Sequence, residues 1–142
     1  MEKRLPTRIM IFGTFDGVHP GHLNFFRQAR KLSKNSLLIV SIGRDQNVLR
    51  VKGKLPRKNE KLRFKLVKKT RLADKVVLGG TKNHIPHILK EKPDIIALGY
   101  DQKNYIKNLK NELKKRGLKV KIVRLKPYKE KIYKNHLLRR KK

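Results

Sequence analysis

The chain contains no cysteine, which excludes disulfides and thiolate metal sites. Histidine and carboxylate must supply any metal chemistry, and a cytoplasmic setting is the simplest fit. Acidic residues are scarce, with ten Asp plus Glu against forty Lys plus Arg. Aromatic residues make up 6% of the chain and few lie among the bases, so no stacking platform for single-stranded nucleic acid is evident. Long hydrophobic runs are missing as well. The N-terminal residues lead only into Ile9-Met10-Ile11-Phe12, far too short for a membrane span or a signal core. A soluble protein without a membrane span is expected.

At 142 residues the chain suits one domain over 1–142, with residues 1–7 and about 127–142 as peripheral basic ends. Its formal charge of +30 attracts polyanions such as nucleotides, RNA or anionic surfaces. The same charge also suits a solvated lysine-rich surface, so it does not choose among partners.

Ile9 to Phe12, closed by Gly13, reads as a buried parallel strand. Pro20 then sits at a first-turn position, and Leu23, Phe26, Ala29 and Leu32 fall near helical spacing. A second buried strand covers Leu37 to Ile42. Val51 to Lys58 reads as a basic loop without core pattern. Asn59 is a fair N-cap for a helix through about Leu72. Val76-Val77-Leu78 is a third strand, Ile85 to Leu89 a short helix, and Asp94 to Leu98 a fourth strand. Tyr105 to Arg116 is a helix stopped by Gly117, and Val120 to Leu125 a fifth strand. Pro127 to Lys142 has the make-up of a short docked helix with a basic tail. Alternating strands and helices predict an α/β fold, a Rossmann-like domain with a five-stranded parallel sheet covered by helices on both faces.

In such a sheet the ligand lies beyond the carboxyl ends of the strands. Three polar clusters fall there: Thr14 to His22, Gly43-Arg44-Asp45, and Gly99-Tyr100-Asp101-Gln102. His19 and His22 are three apart around Pro20-Gly21, so both rings can aim at one spot if His22 lies in the first helical turn. Backbone N–H groups at that helix start favour phosphate, and the imidazoles can donate to oxygens whose charge grows during phosphoryl-type transfer. Gly13 and Gly21 let backbone approach a ligand closely. A bare His-x-x-His also suits a metal pair or two satisfied surface histidines. Asp16 and Asp101 equally suit turn capping.

Gly13-Thr14-Phe15-Asp16 followed by His19-Pro20-Gly21-His22 resembles the signature of the cytidylyltransferase-like nucleotidyltransferases, α/β enzymes whose His-x-Gly-His motif binds a triphosphate. Within that superfamily, Lys92-Pro93-Asp94 with Gly99-Tyr100-Asp101-Gln102, and Asp74-Lys75-Val76-Val77-Leu78-Gly79, most resemble the archaeal-type FAD synthases. The resemblance runs from about Arg8 to Leu125. It implies AMP transfer from ATP to a phosphorylated acceptor, FMN, giving FAD and pyrophosphate. The alternatives are CTP-dependent transfer to glycerol 3-phosphate or a similar alcohol, and a non-catalytic nucleic-acid-binding module on the same fold. By the same resemblance His19 and His22 are catalytic and contact phosphates, and Gly13, Thr14, Phe15, Pro20 and Gly21 contact nucleotide. Arg63 is a phosphate-side contact, Asp101 meets the ribose or base, Tyr128 stacks on the base, and Lys52 and Lys54 meet triphosphate or acceptor phosphate. Mg²⁺ or another divalent cation accompanies the triphosphate, and a homodimer is expected by analogy. One segment departs from the family. Pro127 to Ile132 lacks the Ser or Thr that family members carry near a final helix, leaving lysines as point charges without the same geometry.

Overall fold

The computed structural model describes residues 5–80, 84–99, 102 and 106–127. Its elements alternate: β1 (Thr7–Gly13), α1 (Pro20–Arg30), β2 (Ser36–Ile42), α2 (Asp45–Lys52), α3 (Glu60–Lys69), β3 (Lys75–Leu78), α4 (His84–Glu91), β4 (Ile95–Leu98), α5 (Ile106–Lys115) and β5 (Lys121–Arg124). The strands form one sheet in the order β3-β2-β1-β4-β5, parallel throughout. The predicted five-stranded α/β sheet is therefore the observed one.

The most apolar strands take the middle because both their faces are covered. Ile9, Met10 and Ile11 of β1 and Leu38, Ile39 and Val40 of β2 have no exposed surface. Their alternation divides the core in two. Ile9, Ile11, Leu38 and Val40 pack with Phe26 and Ala29 of α1 and Val67 of α3. Met10 and Ile39 pack with Ile85 and Ile88 of α4 and Leu109 and Leu113 of α5. Helices thus cover both faces, and the chain reverses direction across the sheet between β1 and β4.

Two boundaries differ from the sequence reading. Asp45 to Lys52 is a helix, so Val51 and Lys52 belong to α2 and the basic loop begins at Gly53, whose φ of 80° ends the helix. Only Val48 of this helix is buried, which leaves too little apolar periodicity to read. The helix after Asn59 ends at Lys69, three residues before Leu72. Thr70 turns its hydroxyl back on the Val67 carbonyl at 2.7 Å, and Arg71 takes a φ of 61° that no helix continues.

Candidate active site

The site is built on the carboxyl edge of the sheet. Loops after β1, β2 and β3 step along it by backbone bonds: Gly43 N donates to Gly13 O at 2.9 Å and Gly79 N to Ile42 O at 2.8 Å. The β1–α1 loop carries the histidines. His19 is the N-cap of α1 and Pro20 its first residue, where a missing N–H costs nothing. The Nδ1 of His19 accepts from Gly21 N at 3.0 Å and His22 N at 3.4 Å. The Nδ1 of His22 accepts from His19 N at 3.3 Å, so the pair forms a capping box from two imidazoles. The rings stack at 3.7 Å, tilted by 22°. The two histidines do converge, as their spacing predicted.

This geometry corrects one expectation. The first N–H groups of α1 are occupied by the His19 ring, so they do not wait for phosphate. With both Nδ1 atoms accepting, the neutral form carries its proton on Nε2 of each ring, and His22 donates that N–H to the backbone of Gly17. Burial and the neighbouring His19 hold His22 down to about 4, against a weaker pull upward from a hydrogen bond to Gly17; burial lowers His19 too. At neutral pH both rings are uncharged.

Phe15 anchors the loop. Its φ is 52°, and its ring is buried in the core, edge-on to Phe26 at 5.3 Å and to His22 at 5.2 Å. The expected nucleotide contact of Phe15 therefore cannot come from its side chain, which supports His22 from below. Gly13 is required here because a Cβ would lie 2.5 Å from the Phe15 ring. Gly21 is required because a Cβ would lie 2.7 Å from Cε1 of His19.

Arg63 also differs from expectation. It has no exposed surface, so it faces no ligand. Its guanidinium donates to Thr14 O at 2.8 Å, Lys58 O at 3.0 Å and Asp45 Oδ1 at 2.6 Å, binding the histidine loop to α2 and to the basic loop. Asp45 in turn accepts from Glu60 N at 3.2 Å while Glu60 accepts from Asp45 N at 2.9 Å. The starts of α2 and α3 thus cap one another, each acid sitting at the positive end of the other's helix. Sequence reading noted Asp45 only as part of a polar cluster; nothing in a single sequence pairs positions 45, 60 and 63.

The basic loop is fastened by Asp16, whose carboxylate accepts from Arg57 N at 2.7 Å and Lys58 N at 2.8 Å. The Lys58 N–H in particular holds Asp16 below the usual carboxylate range. Lys52 reaches the site, with Nζ 3.3 Å from Thr14 Oγ1, whereas Lys54 is exposed and has no described contact. On the far side of β1, Gln102 accepts from Gly99 N at 2.8 Å and donates to Phe12 O at 3.0 Å, and Arg124 donates to Gly99 O at 2.8 Å. Asp101 and Tyr128 lie outside the described residues. Thr14, His19, His22 and Lys52 are thus gathered beyond β1.

The Cytidylyltransferase-like family profile matches residues 10–138. The chain is 46% identical over 121 residues to a protein named FAD synthase from Aciduliprofundum boonei, covering 85% of this chain and 79% of that one. It is 44% identical over 119 residues to the FAD synthase of Korarchaeum cryptofilum, covering 83% and 80%. A crystal structure described as the lipopolysaccharide core biosynthesis protein from Thermoplasma volcanium superposes with a TM-score of 0.79 at 36% identity, over 86% of this chain and 98% of that one. Pantoate-beta-alanine ligase from Francisella tularensis superposes at 0.58 with 14% identity, over 85% and 59%, a likeness of fold alone.

Proposed function

We propose that this chain, which belongs to the cytidylyltransferase-like family, is a nucleotidyltransferase that passes AMP from ATP to FMN, giving FAD and pyrophosphate. The similarity to proteins named FAD synthase supplies the donor and acceptor. The observation that carries the chemistry is the stacked, uncharged His19–His22 pair at the start of α1, beside Lys52 and Thr14.

In this reading the FMN phosphate attacks the α-phosphorus in line and pyrophosphate leaves, with no covalent enzyme intermediate. Charge grows on the oxygens of the transferred and departing phosphates. Imidazoles held by the capping box already lie beside those oxygens, and His22 need only exchange its hydrogen bond to Gly17 for a phosphate oxygen, so little reorganisation is spent at the transition state. Lys52 adds the cationic charge that neutral imidazoles lack. Arg63 acts behind them, as a positioning residue that holds Thr14 against the basic loop. Among the described residues no group of three or more His, Asp or Glu side chains is gathered to hold a metal ion. A divalent cation such as Mg²⁺ would accompany the triphosphate and neutralise its charge. No helix among the described residues is long and apolar enough to cross a membrane.

The test supplies purified protein and Mg²⁺ with ATP or CTP and with FMN or glycerol 3-phosphate, following pyrophosphate and flavin products. FAD from ATP and FMN is expected. Product only from CTP and glycerol 3-phosphate would replace this reading with a cytidylyltransferase. No product from any pair, with no nucleotide raising the melting temperature, would remove it. A homodimer is part of the same proposal, to be read by sedimentation.

A further inference from the structure

The structure divides the chain's positive charge into two kinds. Much of it is tied: Arg30 pairs with Asp74, Arg8 and Lys75 with Glu91, Arg44 with Glu60, Arg63 with Asp45, and Arg116 and Lys115 with Glu112. Asp94 accepts the Arg8 N–H and Asp16 the N–H groups of the basic loop. The described carboxylates are therefore spoken for.

Part of what remains lies at the corner between α5 and β5. Lys110 and Lys114, four apart on one face of α5, meet Lys119 and Val120 around a hollow of about 320 Å³. Among the described residues no carboxylate lies within ion-pairing distance of these three lysines, which are exposed. The hollow lies at the amino end of β5, and the carboxyl end of that strand, at Arg124, fastens the nucleotide-edge loop. Four residues at about 3.3 Å each put the two edges roughly 13 Å apart along the strand, so these lysines do not serve the triphosphate site.

We propose that this corner is a second binding surface, which docks the phosphodiester backbone of double-stranded nucleic acid. Three observations select that partner. Glu112, the nearest acid on α5, is taken by Lys115 and Arg116, and cations left without an ion-pair partner suit a polyanion, whose bound counterions are released on contact. The large exposed apolar side chains among the described residues are Leu5, Leu49, Val51, Leu55 and Leu62, none of them on α5 or β5, so the corner lacks the apolar anchors that membrane surfaces and protein partners require. It also presents no described aromatic ring on which unpaired bases would stack. The contact is to backbone and is indifferent to sequence.

The test titrates the full chain into labelled 20-base-pair duplexes of RNA and of DNA, and into a single strand, between 50 and 200 mM KCl. Binding of duplex is expected, with log affinity linear in log salt. Lys110→Gln with Lys114→Gln and Lys119→Gln should weaken it at least tenfold and flatten the salt slope by about 2.7, at about 0.9 per lost phosphate contact. FAD formation should not change in that variant, and His19→Ala with His22→Ala should leave duplex binding intact. A glutamate version of the triple change, which should abolish binding, serves as the second variant. RNA and DNA arms identify which duplex is preferred. The proposal is overturned if duplex does not bind at 100 mM salt, or if Lys61→Gln, Lys65→Gln and Lys68→Gln on α3 weaken binding equally. Capture by phosphatidylserine vesicles with no duplex binding would also overturn it.

Discussion

At the scale of single residues, the histidine pair ties stability to activity through protonation. His22 has an ordinary value of 6.5 and is held at about 4 in the fold. Between those values the unfolded chain binds more protons than the folded one, so stability rises with pH across the window. The stabilising contribution is complete above 6.5 and is lost as pH falls toward 4. Melting temperature measured from pH 7.5 to 3.5 should fall on the acid side, and His22→Asn should remove part of that slope. His19, His84 and His87, lowered by burial as well, contribute to the rest, joined at the acid end by Asp16 and Glu112, which the fold also holds low. An unchanged slope in the variant would reject the depressed value. Gly21 separates the two properties instead. Its replacement by Ala favours helix by about 1 kcal/mol yet drives a methyl group into the His19 ring. Gly21→Ala should melt close to the parent, the gain in propensity being set against the loosened His19 cap, and lose roughly 10- to 100-fold in kcat/KM, the scale of an ångström's misplacement. Lost stability with intact kcat/KM would mean that His19 is dispensable.

Elements meet through α2 and α3, and that junction is where sequence reading stopped. The apolar strands, the helix after Pro20 and the His-x-Gly-His turn were legible because each is a local pattern: a run of β-branched residues, a spacing of three and four, a Pro at a first turn. Helix α2 was not legible, since Val48 alone anchors it. Nor was the placement of Arg63. Its family position suggested phosphate, whereas its burial depends on Asp45 and Thr14, which lie 18 and 49 residues away in the sequence. Phe15 misled for a related reason, as its backbone lies in the ligand loop and its ring in the core. The junction has a measurable consequence. Asp45→Ala leaves the Arg63 guanidinium buried without its carboxylate and removes one of the two reciprocal caps. A loss of about 3–5 kcal/mol in urea unfolding is expected from stranding a buried charge. Asp45→Asn keeps an oxygen at the Oδ1 position and should cost less. Equal and small losses in both variants would mean that water replaces the carboxylate and that Arg63 is not a clamp.

Over the whole molecule, the charge of +30 acts in opposite directions on folding and on substrate capture. Like charges repel in the compact state, and the paired carboxylates offset only part of that repulsion. Salt shortens the reach of the repulsion from about 10 Å at 0.1 M to about 3 Å at 1 M, so it should raise stability. The same screening weakens the field that draws a triphosphate toward Lys52 and the histidines, so it should weaken capture. Raising KCl from 20 mM to 0.5 M should therefore lift the melting temperature by about 4 °C or more, the shift given by ~1 kcal/mol in a domain of this size. Over the same range KM for ATP should climb severalfold. Lys52→Ala should begin with a higher KM and show a shallower salt dependence, while its melting curve follows the parent, because Lys52 is exposed and stands outside the ion pairs that hold the fold. Tripolyphosphate at matched ionic strength separates screening from binding: a larger rise in melting temperature than KCl gives, reduced in Lys52→Ala, places the anion at the nucleotide edge. A melting temperature that stays flat or falls with salt would mean that the ion pairs of Arg8, Arg30, Arg44, Arg63 and Lys75 outweigh the repulsion of the unpaired lysines.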